Sequence, residues 1–160
     1  MQSGEIVFTK MDRVIFGQPA AETVVAEAGR LGAERVFLLV SGTLNRETDA
    51  VDQMADALGG RYAGRWDHMP SHSPREAVVG CANAARQAGC DLLVSFGGGS
   101  ATDGGKAVTI CLAHDITEPE GLEPFRTKVD ANGQRHFPDY AAPEVRQIVV
   151  STTLSAGEFN

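Results

Sequence analysis

Cysteine is scarce in this chain of 160 residues: Cys81, Cys90 and Cys111 are the three present, an odd number with no CxxC pair. Neither a disulfide framework nor a zinc ribbon follows from that spacing, and the three read as small apolar residues. No cluster of Lys and Arg offsets a net charge of -7, which argues against nucleic acid as the main partner. An acidic ligand would therefore need a local positive site. The opening "MQSGEIVFTKMDRVIF" contains no basic segment followed by a long apolar one, so neither a secretory signal nor a membrane anchor is expected, and the chain reads as cytoplasmic. Low-complexity tracts and internal repeats are also missing, and the length suits one domain that buries its own core.

What is present is an alternation of apolar runs and helical spacing. "RVIFG" at 13–17 predicts a short strand. "PAAETVVAEAGRLG" predicts a helix with Val24, Val25, Ala28 and Leu31 at helical spacing, Pro19 in its first turn and Gly32 as its stop. "RVFLLVS" is a continuous apolar run, the pattern of a strand covered on both faces. A helix through "ETDAVDQMADALGG" follows, with Thr43 or Asn45 as cap and Val51, Met54, Ala55 and Leu58 on one face. "RYAGRW" is a weaker strand candidate. Ser73, Pro74 and Glu76 make a helix start leading into "AVVGCANAARQAG". "DLLVSF" predicts another buried strand, and "ATDGGKAVTICLAHD" returns to helical spacing. From 116 to 144 the pattern lapses, and Asn132-Gly133 marks a tight hairpin there. "RQIVVSTT" resumes as a strand.

Strand and helix alternating in this way predict an α/β fold, a Rossmann-like parallel sheet with helices on both faces. Such sheets bind ligands beyond the carboxyl ends of their strands. "STTLSAGEFN" runs from strand into loop with no closing helix, so residues 1–160 are expected to be a fragment or one half of a longer protein.

The stretch "SFGGGSATDGGKAV", 95–108, carries the chemistry. Gly97, Gly98 and Gly99 follow a strand expected to end near Phe96. Glycines there permit positive φ and let a ligand touch the backbone. A helix starting between Ser100 and Thr102 then aims unpaired N–H groups and its dipole at the same place, where a phosphate fits. The plainer alternative is a tight turn with Ser100 or Thr102 as the cap. A Walker A loop ending at Lys106 would need glycine at 100 and Ser or Thr at 107, and the Rossmann fingerprint fails at Thr102. Asp103 and Lys106 lie three apart on one helix face, which suits a weak ion pair as well as a functional role.

"GGGSATDGGK" resembles the GGGSxxDxxK pattern of the iron-containing (group III) alcohol dehydrogenases, relatives of glycerol dehydrogenases, maleylacetate reductases and dehydroquinate synthases. "VIFG", "RVFLLVSGTL" and "STTLSAGE" extend the resemblance over nearly the whole chain. It implies that Gly97, Gly98, Gly99 and Ser100 wrap the pyrophosphate of NAD or NADP, with Asp103 on the nicotinamide side. Thr152 and Thr153 would contact the cofactor across the cleft, with Leu154 near the adenosine half. Where many relatives carry an acidic residue after the second strand, this chain has Gly42, which leaves room for NADP, with Ser41, Gly42 and Thr43 as donors to its phosphate. Ser151 replaces the family's usual proline.

The resemblance also implies Fe2+ or Zn2+ bound by one aspartate and three histidines in a helical second domain after Asn160, so no residue of this chain is assigned to metal and none to catalysis. His68 and His72 are separated by Pro70 and read as loop residues, and His114 and His136 have no ligand-spaced partner. The implied activity is hydride transfer between a small alcohol and its aldehyde or ketone, in a homo-oligomer of two or more subunits. An N-terminal strand, "IVF" or "RVIF", could pair across subunits. Ser100 and Lys106 depart from the synthase pattern. Maleylacetate reductases, which lack the metal, look more like GGGSxxGxxK, from which Asp103 departs. A maleylacetate reductase-like enzyme and a non-catalytic dinucleotide-binding module are the alternatives.

Overall fold

The computed structural model describes residues 11–159. Four of its strands, β1 (Val36–Val40), β2 (Tyr62–Trp66), β3 (Leu92–Gly97) and β6 (Arg146–Ser151), form one parallel sheet in the order β2-β1-β3-β6. The two central strands are buried along their whole length, with Val36 opposite Leu92 and Val40 opposite Phe96. Val36, Leu38, Val40, Leu92, Val94 and Phe96 face one layer, made by α1 (Ala20–Leu31) and α3 (Ala50–Leu58). Phe37, Leu39 and Leu93 face the other, made by α4 (Arg75–Gln87) and α5 (Gly99–Ala113). Burial on both faces is why these runs are apolar at nearly every position, the buried Ser95 of β3 being the polar exception.

The expected α/β sandwich is therefore present, with local differences. No strand forms at 13–17: Val14 is 56 % and Phe16 88 % exposed, and without a neighbouring strand an apolar run has nothing to hydrogen-bond along. "IVF" at 6–8 lies outside the described residues. In place of one helix through 47–60 capped at Thr43 or Asn45 there are two, α2 (Gly42–Glu47) and α3, separated at Thr48 and Asp49. Ser41 caps α2, accepting from the Leu44 N–H at 3.5 Å, while Thr43 and Asn45 lie inside the helix. Pro19 and Pro74 occupy N-cap positions, one residue before their helices. The hairpin joins β4 (Lys128–Val129) and β5 (Arg135–His136). Its turn is longer than an Asn-Gly pair, since Gly133 N–H donates to the Asp130 carbonyl at 3.0 Å with Gly133 at φ +80°.

Helix α5 packs against the sheet through its glycines. Gln147 on β6 donates through Nε2 to Ser95 Oγ on β3 at 2.7 Å and to the Thr102 carbonyl of α5 at 3.0 Å. Gly105 passes directly over this pair, and a Cβ there would overlap Gln147 Nε2 and Ser95 Oγ. Gly105→Ala should therefore cost about 1–3 kcal/mol, because the added methyl must displace a buried hydrogen-bonded group. Urea unfolding followed by circular dichroism would show the lower midpoint.

The cysteines are free. Burial pushes the Cys81 thiol up to about 12 and those of Cys90 and Cys111 up to about 11. The folded state thus favours neutral thiols, as expected of small apolar residues. Their contribution to stability is complete below the unfolded value of 9.0 and is lost as pH rises toward 11. A thiol titration at pH near 8 should find them slow to react in native protein and fast in denaturant, and alkaline pH should lower the unfolding midpoint.

Candidate functional site at the carboxyl end of the sheet

β1 and β3 are neighbours, yet the chain leaves β1 into α2 and α3 on one side of the sheet and leaves β3 into α5 on the other. Their carboxyl ends thus form a topological switch point, where open α/β sheets leave a crevice for ligands. Ser41 closes one side of the glycine turn, donating its N–H to the Phe96 carbonyl at 2.9 Å. Thr152 closes the other, donating to the Gly97 carbonyl at 2.9 Å. The structure therefore brings together Ser41, Gly97, Gly98, Gly99, Thr152 and Thr153 from three different strand ends.

Close approach, and not positive φ, is what demands glycine here. Gly98 has φ -87°, and neither Gly97 nor Gly99 is left-handed. A Cβ on Gly98 would lie 3.0 Å from Thr153 Cγ2, one on Gly97 3.0 Å from Ser41 Cβ, and one on Gly99 3.2 Å from Ser155 Cβ. β3 continues to Gly97 and α5 begins at Gly99, slightly earlier than the sequence predicts. Neither Ser100 nor Thr102 caps α5. Gly98 is the N-cap and no side chain bonds there, while the buried Thr102 donates its hydroxyl to the Gly98 carbonyl at 3.3 Å. Ala101 and Thr102 donate their N–H groups to the Gly98 carbonyl at 3.0 and 3.1 Å, which leaves those of Gly99 and Ser100, with the positive end of the dipole, at the ends of the strands.

The sequence of residues 12–159 matches the family described as iron-containing alcohol dehydrogenase. The chain belongs to that family. Maleylacetate reductase 1 of Rhodococcus opacus is 38% identical over 108 residues, which is 67% of this chain and 29% of that protein. Dehydrogenase FUM7 of Gibberella moniliformis is 28% identical over 148 residues, 91% of this chain and 35% of its own length. The chain thus spans about a third of these curated relatives. An iron-containing alcohol dehydrogenase from Thermococcus thioreducens superposes with a TM-score of 0.72 over 92% of this chain and 37% of that one, at 24% identity, a likeness of fold.

Other residues of this iron-containing alcohol dehydrogenase domain complete the surroundings. Ser73, read from sequence as a helix start, instead donates its hydroxyl to the Ser100 carbonyl at 2.9 Å. His72 and Ser73 both adopt left-handed backbone, φ 65° and 45°, which carries the loop after β2 onto the glycine turn. Two consecutive left-handed residues without glycine leave no mark in the sequence. Asp103 is exposed, 3.6 Å from Lys106 Nζ. Thr43 and Leu154 are also exposed, Leu154 completely at 106 %, so neither packs against the turn. Two concavities of about 110 and 500 Å³ lie elsewhere, beside Asp91 and Arg146 and beside Asp52 and Tyr62. The glycine turn lines neither.

Among the described residues no three His, Cys, Asp or Glu side chains cluster as metal ligands. His68 lies 3.2 Å from Asp67, His136 lies 3.0 Å from Asp130, and His114 Nε2 accepts from Ala141 N–H.

Lys106 holds a neighbouring segment in place. Its Nζ donates to the Gly157 carbonyl at 2.5 Å, pinning the 3-10 turn Gly157–Phe159 beside α5. Lys106→Met should speed amide hydrogen exchange in that turn several-fold while leaving β3 unchanged, as read by mass spectrometry of peptides.

Proposed function

We propose that this chain is the cofactor-binding domain of an NAD(P)-dependent oxidoreductase that moves hydride between an alcohol and an aldehyde or ketone. One observation carries the reading: an uncapped helix N-terminus opens from a glycine turn at the switch point of a parallel sheet, with Ser41 and Thr153 in contact with the turn. The residues fit a dinucleotide. Gly97, Gly98 and Gly99 let the turn close against Ser41, Thr153 and Ser155, so that side chains from three strand ends surround the N–H groups of Gly99 and Ser100, donors that suit a pyrophosphate.

In this reading the N–H groups of Gly99 and Ser100 hold the pyrophosphate, helped by the α5 dipole. Thr152 and Thr153 border the dinucleotide on the β6 side. Ser41, Gly42 and Thr43 meet the adenosine ribose at the end of β1, with Leu154 offering apolar surface to the adenosine half. Asp103, exposed one turn along α5, stands on the nicotinamide side and can accept from an amide or hydroxyl. Ser73 is a positioning residue, fixing Ser100 through its carbonyl. The bound cofactor would supply the hydride acceptor or donor. Fe2+ or Zn2+ does not fit the described residues, which offer no cluster of ligands, so its site would come from outside them.

A second reading, a maleylacetate reductase-like enzyme, is favoured by the 38% identity to the Rhodococcus opacus protein. Asp103 stands against it. The small-molecule substrate, an assembly of two or more subunits and a cytoplasmic setting are parts of the same proposal. Among the described residues no helix is long and apolar enough to cross a membrane.

Calorimetric titration of NAD+ and of NADP+ into the chain should give saturable binding of at least one. Gly98→Val should weaken it by at least about tenfold, since the added side chain must push Thr153 and the turn apart and so displace the donors of the α5 N-terminus, with circular dichroism to verify folding. If neither dinucleotide binds folded protein, the reading is lost.

A further inference from the structure

The geometry points to Arg46 as the residue that selects NADP over NAD, by pairing with the adenosine 2′-phosphate at the end of β1. This inference rests on the dinucleotide reading above. In a switch-point site the pyrophosphate lies at the helix after one strand and the adenosine ribose at the end of its neighbour, where a carboxylate selects NAD and an arginine accommodates a 2′-phosphate. β3 and α5 fill the first role here, so the ribose position falls at Ser41 and Gly42, which follow β1 directly.

That position carries no carboxylate and has no space for one. A Cβ on Gly42 would come within 2.8 Å of the Asp67 carbonyl and 2.9 Å of Arg46 Nη1. The second of these distances locates the guanidinium: Arg46, one turn along α2, folds back over the Gly42 backbone and covers the ribose position with positive charge. It is also uncommitted. Arg13, Arg30, Arg65, Arg75, Arg126 and Arg146 all pair with carboxylates, whereas Arg46 has no ion pair or hydrogen bond among the described residues. The nearby carboxylate, Asp67, is engaged by Asn45 Nδ2 at 2.6 Å and His68 Nδ1 at 3.2 Å. An exposed, unpaired guanidinium beside bare backbone suits a phosphate, which it can meet with two parallel N–H donors. NAD offers only a hydroxyl there.

The test compares the affinities of NADP+ and NAD+ for the chain and for Arg46→Gln and Arg46→Lys, with circular dichroism to verify folding. The wild-type chain should bind NADP+ more tightly than NAD+. Arg46→Gln should reduce the ratio of the two affinities by about tenfold or more, the worth of a charge-assisted contact, and Arg46→Lys by less, because it keeps the charge without the fork. A wild-type preference for NAD+, or a ratio that Arg46→Gln leaves unchanged while both dinucleotides bind, would overturn the assignment and spare the cofactor reading. Binding of neither dinucleotide would overturn both. Because Arg46 is exposed and unpaired, loss of folding is not expected, and Arg46→Lys gives an independent measure of the ratio should Arg46→Gln misfold.

Discussion

The seating of α5 on β3 and β6 is the constraint on which the rest of the site depends. Gln147 reaches from β6 to bond both Ser95 and the Thr102 carbonyl, tying strand, strand and helix at one point. Gly105 alone permits that approach, since any side chain would occupy the space of the two bonded polar groups. With the helix held this low, its first turn meets the end of β3, and the glycines of 97–99 fit between Ser41, Thr153 and Ser155. Lifting α5 by the width of a methyl group would loosen Gly99 from Ser155, while Gly97, as the last residue of β3, would keep its contact with Ser41. The buried polar contact therefore sets position, and the two apolar layers on either face of the sheet supply most of the stability.

The glycine turn also shows how a motif can be located in the sequence and its glycines explained by the wrong cause. Residue type and placement after a buried strand were enough to mark 97–99 as the turn from strand to helix. The backbone is nonetheless in ordinary regions, and glycine is required by crowding from residues more than fifty positions away in the chain. Local sequence contains the turn; only the pairing of β3 with β1 and β6 creates the crowding.

The same distinction separates what was legible from what was not. Periodicity reveals β1, β3, α1, α4 and α5 because each buries a continuous face, and their alternation implies a parallel sheet, whereas the order β2-β1-β3-β6 is visible only in the structure. The run at 13–17 has strand composition but no partner, and a strand is a property of pairs. Ser73 has the identity of a helix cap, yet Pro74 takes the N-cap position and its hydroxyl goes to Ser100, twenty-seven residues on. Arg46 is one exposed cation among 14 Lys and Arg, and its place over Gly42 appears only when α2 is seen to be a single short helix turning back on β1.

Charge completes the argument. A chain of net charge -7 repels an anion in general, so a bound pyrophosphate requires positive potential arranged locally. The α5 dipole and its free N–H groups provide a partial charge at the turn, effective only within about one helical turn. That is sufficient for a diphosphate held by the backbone, but a further phosphate on the ribose lies beyond its reach. A full side-chain charge is needed at the end of β1, and the fold places Arg46 there while Asn45 and His68 occupy the nearby carboxylate of Asp67. In the proposed site the two ends of the crevice would therefore hold phosphate by different means, backbone at β3 and guanidinium at β1, so that the second could be altered without disturbing the first.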